Sequence, residues 1–327
     1  MVTDVVVVGG GVIGLTTAVV LAEDGARVRL WTRDPASDTT SAVAGALWWP
    51  YRIEPEARVG EWSLASLDVY GRLAEDPAGT GVRLVPGITA DTSLAGLGSW
   101  GRRVPGLREA RAEELPPGYG TGLRARLPLI DMPVHLAYLR RRLEAAGGVV
   151  EVREAGALTG TGARTVVNCT GLGARTLVPD PGMVPVRGQL VTVENPGIEE
   201  WFVAAGHDAA ESVYFFPQPF GVVLGGTAEE GSWSAEPDPG TAEAIIARCA
   251  AVRPELADAK VLEHRVGLRP VRPRGVRIEA ERLADGGLLV HNYGHGGAGV
   301  TVAWGCAADA ARLVRAGTAG AGAVRGG

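Results

Sequence analysis

The start of the chain leaves few folds open. Val5-Val6-Val7-Val8 is an unbroken β-branched run, the pattern of a strand buried on both faces of a parallel sheet. Gly9-Gly10-Gly11-Val12-Ile13-Gly14 follows at once. An apolar helical pattern then runs from Val12 to Ala22, Gly25 closes it, and a second strand-like run spans Val28 to Thr32. Strand, GxGxxG, helix, strand is the context in which this glycine spacing signals a dinucleotide site. Gly9 permits the tight turn, Gly11 lets backbone approach a pyrophosphate, and Gly14 lets the helix pack close to the strand. The competing reading is a glycine-rich turn in an ordinary doubly wound domain. An acid is expected near the end of the second strand, to hold the ribose. Asp34 stands 20 positions after Gly14. Arg33 precedes it, where many such folds place the acid itself. The ribose contact therefore stays open between Asp34, the backbone of 32–34, and Arg33 stacked on the adenine.

A second glycine cluster, His291-Asn292-Tyr293-Gly294-His295-Gly296-Gly297-Ala298-Gly299-Val300-Thr301, lies between an apolar strand from Leu288 and an apolar helix from Val300 to Val314. Bare backbone at a helix N-terminus suits a flat or anionic ligand. The competing reading is a loop that needs positive φ.

The formal net charge of −5 over 327 residues gives no reason to expect nucleic acid or an anionic membrane as partner. No stretch reaches the roughly 20 apolar residues of a membrane span. The apolar N-terminus has Asp4 where a signal peptide is basic, and glycines interrupt it. Cys169, Cys249 and Cys306 are widely spaced, which indicates neither zinc nor a disulfide framework and favours a reducing compartment. The expectation is a cytoplasmic protein without a metal.

Further along, Pro133 opens a helix with Leu136, Leu139 and Leu143 on one face, ended by Gly147-Gly148. Strand-like runs follow at Val149 to Val152 and Thr165 to Val167, extending the first βαβ unit. Leu190 to Val193 reads as another strand, and Ser212 to Pro217 with Gly221 to Gly226 as a β-hairpin around Gln218-Pro219-Phe220. The tail from Gly317, mostly Gly and Ala, is expected to lack structure.

Four more segments narrow the reading: Thr39 to Tyr51 (TTSAVAGALWWPY), Val166 to Ala174 (VVNCTGLGA), Val186-Arg187-Gly188-Gln189, and Val266 to Glu279 (VGLRPVRPRGVRIE). With HNYGHGGAG, in this order, the chain resembles the D-amino-acid oxidase family of FAD enzymes over residues 4 to 315. The resemblance implies an α/β fold: a Rossmann-like FAD-binding domain of glutathione-reductase type with an interleaved α+β substrate domain on a mixed or antiparallel sheet. The corresponding division is 1–50, 133–185 and 266–327 for FAD, and 51–132 with 186–265 for substrate.

Carried over by position, Gly9, Gly10 and Ile13 lie at the pyrophosphate, and Arg33 and Asp34 at the adenosine. Thr40, Ser41, Gly45, Ala46 and Leu47 run along the pyrophosphate and flavin. Ala155 touches the adenine end, and Thr170 and Gly171 the ribityl or adenosine part. Gly296, Gly297, Ala298, Gly299, Val300 and Thr301 line the flavin pyrimidine edge. There a helix N-terminus would stabilise the negative charge that develops as the flavin takes a hydride.

For the substrate, the resemblance assigns Arg269 and Tyr214 to the carboxylate, the Gly297 carbonyl to the ammonium, and Trp49 to a position over the amine and side chain; Arg269 is placed among the cofactor contacts as well. Arg272, Arg274 and Arg277 are not carboxylate ligands, and His291 and His295 are not bases. The implied reaction is hydride transfer from Cα to flavin N5, hydrolysis of the imino acid to a 2-oxo acid and ammonia, and reoxidation by O2 to hydrogen peroxide. No residue serves as general acid or base. Two departures bear on substrate. Ala210 stands where mammalian members carry a lid tyrosine, in a segment from Gly206 that looks short. Ala228, with Glu229 and Glu230 beside it, stands where D-aspartate oxidases carry an arginine, which favours neutral side chains. The alternatives are a D-aspartate oxidase, a glycine- or sarcosine-type amine oxidase, a nicotinamide-linked dehydrogenase and a non-catalytic flavin-binding module. The family often forms homodimers, though no segment marks an interface.

Overall fold

The computed structural model of the chain describes residues 4–50, 53–204 and 211–323. In chain order the strands are β1 (Asp4–Val8), β2 (Arg27–Thr32), β3 (Val82–Ala90), β4 (Arg108–Glu109), β5 (Gly122–Ile130), β6 (Val149–Val152), β7 (Thr165–Asn168), β8 (Val184–Val193), β9 (Trp201–Ala204), β10 (Glu211–Gln218), β11 (Gly221–Thr227), β12 (Glu229–Glu230), β13 (Val261–Val271), β14 (Arg277–Arg282) and β15 (Leu288–Tyr293). The α-helices are α1 (Val12–Glu23), α2 (Thr40–Val43), α3 (Glu56–Leu73), α4 (Pro77–Thr80), α5 (Met132–Ala145), α6 (Ala174–Leu177), α7 (Pro239–Val252) and α8 (Gly299–Ala323).

Six strands form one sheet in the order β14-β15-β7-β1-β2-β6. It is parallel from β15 to β6, and β14 joins the edge antiparallel. Val5, Val6 and Val7 are almost fully buried, as a strand covered on both faces requires. Helix α1 packs against α8 and α5, and Leu15, Val19 and Leu21 disappear between them. Each such side chain contributes about 1.5–3 kcal/mol of transfer free energy.

The remaining nine strands make a second, mostly antiparallel sheet in the order β12-β8-β11-β10-β9-β3-β5-β4, with β13 paired to β8. Helix α7 covers it, burying Ala242, Ile245 and Cys249 against Val191, Val193 and Leu224. Pro219 and Phe220 form the two-residue turn between β10 and β11, with Gln218 opposite Gly221. A bridge between Val271 and His295 links the far end of β13 to the segment leading into α8.

The expected boundary at 266 falls within β13, which pairs with β8 as far as Val271, and β14 joins the six-stranded sheet from Arg277. One expectation needs correction. Helix α8 continues to Ala323, through the Gly/Ala tail expected to lack structure. Alanine is the strongest helix former. Gly317 also packs so closely on Leu288 that a Cβ there would sit 2.5 Å from Leu288 Cδ2. Its carbonyl accepts a hydrogen bond from Arg282 Nη2 at 2.7 Å. The segment 206–211, expected to form a short lid, lies outside the described residues as far as position 210.

Candidate functional site

A cavity of about 1070 Å³ opens at the C-terminal ends of β1 and β7, where the strand order of the parallel sheet reverses. Every residue named from the sequence as a cofactor or substrate contact lines it, with two exceptions. Gly14 faces inward, where a Cβ would meet Gly9 O at 1.8 Å; this is the close helix–strand approach its spacing implied. Ala298 is buried away from the cavity, and its N–H donates to His295 O at 3.1 Å.

Two helix N-termini face this space. α1 has Gly11 as its N-cap, without a side-chain cap bond or an acid in the first turn. Val12 N–H donates to Ser41 Oγ at 2.9 Å. The approach to α8 runs through a short turn, Gly296–Ala298, also without an acid. Each end carries partial positive charge and backbone N–H groups that lack intrahelical acceptors. Gly9 holds φ +120, and a Cβ there would lie 2.3 Å from Cys169 O.

At one end of the cavity, Arg33 Nε donates to Asp34 Oδ2 at 2.8 Å, and that bond, with the Asp34 charge, raises the Arg33 pKa. The Asp34 carboxylate is thus shared with a neighbouring cation. Arg153 and Glu154, which sequence reasoning passed over, also line the cavity just beyond β6. The Arg153 guanidinium lies 4.1 Å from the ring centroid of Trp31. Glu154 is a second acid at this end, with its charge also acting on Arg33.

The VNCTG and HNYG segments hold each other in place. Thr170 Oγ1 donates to Asn168 Oδ1 at 2.8 Å, and Asn168 Nδ2 meets His291 Nδ1 at 3.3 Å. His291 Nε2 faces Glu281 Oε1 at 3.1 Å. The carboxylate requires a proton on Nε2, which leaves Nδ1 to accept from Asn168. Burial lowers the His291 pKa, and the ring stands outside the cavity wall as framework. His295 does line the cavity; burial pushes it down to about 3, so it is neutral near pH 7.

The arginines of the 265–277 segment separate by their partners. Arg272 pairs with Asp180 and Arg277 with Glu279, and Arg265 stands beside Glu263. Arg269 lines the cavity, and its partner among the described residues is the neutral carbonyl of Thr227, at 2.9 Å from Nη1. Tyr214, stacked on Phe216, reaches the same place: a Cβ on Gly226 would lie 2.6 Å from the Tyr214 hydroxyl. The guanidinium and the phenol therefore converge on the Gly225–Thr227 segment. Trp49 is fixed through its backbone, whose carbonyl accepts from Thr301 Oγ1 at 3.0 Å, and through edge contact with Trp100 at 5.4 Å. Glu229 and Glu230 do not line the cavity, and Glu229 pairs with Arg187. The expected repulsion of acidic substrates by these two residues is therefore withdrawn.

These features fit FAD. Glycine backbone and the α1 N-terminus line the cavity and suit a pyrophosphate, and the turn leading into α8 lines the same cavity next to Ile13. Trp31 Nε1, Asn292 Oδ1 and His295 Nε2 are buried polar atoms at this cavity without a hydrogen-bond partner among the described residues. Buried polar groups rarely stay unsatisfied unless a ligand or water completes them.

Comparison with known proteins agrees. The family model described as FAD dependent oxidoreductase matches residues 4–313. The chain is 64% identical over 311 residues to a D-amino-acid oxidase of Streptomyces coelicolor, covering 95% of this chain and 96% of that protein. It is 51% identical to a D-amino-acid oxidase of Rubrobacter xylanophilus, covering 95% of each, and 35% identical to the human D-aspartate oxidase, covering 95% of this chain and 94% of that one. Among solved structures, a glycine oxidase from Bacillus cereus superposes with a TM-score of 0.80 at 17% identity, covering 96% of this chain and 95% of that one, a likeness of fold. By its motifs, its cavity and these matches, the chain belongs to the FAD dependent oxidoreductase family.

Proposed function

We propose that this protein oxidatively deaminates neutral D-amino acids, consuming O2 and water and releasing a 2-oxo acid, ammonia and hydrogen peroxide. The observation that carries this reading is Arg269: a guanidinium on the cavity wall, bonded among the described residues to a carbonyl rather than an acid, with Tyr214 on the same wall. Such a fork meets an α-carboxylate with two parallel hydrogen bonds and keeps its charge when water is excluded. The names of the 64% and 51% identical relatives support the substrate class.

FAD, when bound, supplies the hydride acceptor and passes the electrons to O2. The chain's own residues bind and orient. Gly9, Gly10, Gly11 and Ile13 hold the pyrophosphate at the α1 N-terminus, while Arg33, Asp34 and Ala155 hold the adenosine. Thr40, Ser41, Gly45, Ala46, Leu47, Thr170 and Gly171 line the middle of the cofactor, and Gly296, Gly297, Gly299, Val300 and Thr301 its far edge. Arg269 and Tyr214 fix the substrate carboxylate, the Gly297 carbonyl accepts from the amine, and Trp49 bounds the side chain. This alignment converts a bimolecular encounter into a positioned one, and no side chain needs to carry a proton. We place the six-stranded sheet and its helices as the cofactor-binding unit and the nine-stranded sheet as the substrate unit. A cytoplasmic location suits three cysteines that are buried and unpaired. A homodimer is the corresponding expectation for the assembly, to be read by light scattering.

The neutral preference rests on the walls near Arg269, where Trp49, Leu47, Val203, Tyr214 and Phe216 supply apolar surface. Among the described residues no second cation of the wall stands beside them. Arg33 and Arg153 lie at the ends of β2 and β6, and Arg175 is engaged by the carbonyls of Pro181 and Met183. An ionised side chain would lose its hydration there without compensation. Peroxide release with D-alanine, D-valine and D-aspartate tests this. The expected kcat/KM for D-valine exceeds that for D-aspartate at least tenfold, and a preference for D-aspartate would reverse the assignment.

A further inference from the structure

We propose that Gly188, together with Thr227, is the positioning element that aims Arg269. The proposal rests on the reading that Arg269 binds the substrate carboxylate. β8 and β13 pair so that Gly188 faces Gly267 and Val186 faces Arg269. Gly188 is therefore the diagonal neighbour of Arg269, within reach of a long side chain. The guanidinium folds back across β8 and lies against the bare Gly188 backbone. A Cβ on Gly188 would stand 2.3 Å from Arg269 Nη2 and 2.4 Å from both Cζ and Nη1. No other residue type leaves that berth.

The second support is the Thr227 carbonyl, which accepts from Arg269 Nη1 at 2.9 Å. Thr227 is itself pinned to the same strand, because its Oγ1 accepts from Gln189 N–H at 3.0 Å. One Nη1 hydrogen goes to Thr227, and the remaining Nη1 and Nη2 hydrogens form the fork for a carboxylate.

The residues on either side of Gly188 project to the opposite face of the strand. Arg187 is buried and bonds Glu229 Oε1 at 2.6 Å, Glu236 O at 2.6 Å and Gln189 Oε1 at 2.9 Å. Gln189 Nε2 donates to Asp238 O at 2.7 Å. This network ties the chain that follows Thr227 to β8. The Arg-Gly-Gln segment thus has two faces: one stitches down residues 229–238, and the other is left empty for Arg269.

The atoms a new Cβ would meet are the far end of a flexible side chain, so Gly188→Ala displaces the guanidinium and leaves the fold intact. Anaerobic flavin reduction by D-alanine, followed in the holoenzyme, gives an apparent Kd and a limiting rate. Gly188→Ala is expected to raise the Kd at least tenfold, change the limiting rate less than threefold and leave the visible flavin spectrum unchanged. In an Arg269→Ala background the same substitution is expected to change the Kd less than twofold. An unchanged Kd in Gly188→Ala, or an equal rise in both backgrounds, overturns the positioning role alone. An unchanged Kd in Arg269→Ala overturns the reading beneath it as well. If Gly188→Ala yields no folded holoenzyme, Thr227→Val carries the test, with a rise of at least threefold that vanishes in the Arg269→Ala background.

Discussion

Replacing Arg269 with alanine is expected to raise the KM for D-alanine at least 30-fold while the protein keeps its flavin. Removing one partner of a desolvated, hydrogen-bonded charge pair costs about 2–5 kcal/mol, and each 1.4 kcal/mol is a factor of ten. The loss falls on substrate binding because Arg269 sits on the wall beside Thr227, on the sheet that carries Tyr214, rather than on the α1 loop. Arg269→Lys is expected to recover part of the loss but not all, since an ammonium restores the charge and not the two-pronged geometry. Steady-state kinetics with several D-amino acids read this out, and a KM within threefold of the parent would remove Arg269 from the site. Other arginines nearby are poor substitutes, because Arg272 and Arg277 are already held by Asp180 and Glu279.

A second large effect is expected from Gly14→Ala. Its Cβ would lie 1.8 Å from Gly9 O and 2.9 Å from Gly9 C, both backbone atoms of the turn between β1 and α1. Backbone cannot swing aside as a side-chain tip does, so the turn and the first residues of α1 must move together. That displaces the N–H groups proposed to hold the pyrophosphate. The purified variant is expected to retain less than about a tenth of the parent's flavin, judged by the visible-to-ultraviolet absorbance ratio. Overpacking costs of about 1–3 kcal/mol or more also fall on stability. Gly71→Ala in α3 serves as the control. Its Cβ would meet nothing within 4 Å, so a helical alanine there is expected to be neutral or stabilising by up to about 1 kcal/mol. Full flavin content in Gly14→Ala would show that the turn tolerates rearrangement.

The sequence reading succeeded where the structural constraint is local. The β1–α1–β2 unit follows from a valine run, glycine spacing and a helical period within thirty-odd residues, and its strands and helix appear within a residue or so of their expected bounds. The α5 helix and the β10–β11 hairpin were legible for the same reason. β3 was not, because Pro86 and Gly87 interrupt it. It nevertheless runs between β9 and β5, and Gly87 is bare because Trp201 lies against it, with a Cβ 2.2 Å from the Trp201 ring. β13 escaped because its two arginines and one proline leave no alternation of apolar and polar residues, and its partner β8 is supplied from far along the chain.

The site divides in the same way. Motif glycines and Arg269 were named in advance, whereas the reason for Gly188 depends on the β8–β13 register, which no local pattern encodes. Arg153 and Glu154 were missed because they follow a short edge strand and carry no spacing signal. The partners of His291 were not legible either: its ring is held between Glu281 and Asn168, which come from different strands. Glu229 and Glu230 misled because adjacency in sequence was taken as proximity to substrate, while β12 turns them away from the cavity.

The central claim is a flavin whose oxidised ring accepts hydride from a D-amino acid anchored at Arg269. Its most direct measurement is the visible spectrum of the purified protein under nitrogen, before and after addition of D-alanine, with L-alanine as the matched control. The account predicts a yellow protein that bleaches with the D-enantiomer, stays yellow with the L-enantiomer and recovers its colour with peroxide formation when air is admitted. A colourless protein that carries no flavin, or a yellow one that no D-amino acid bleaches, would contradict it.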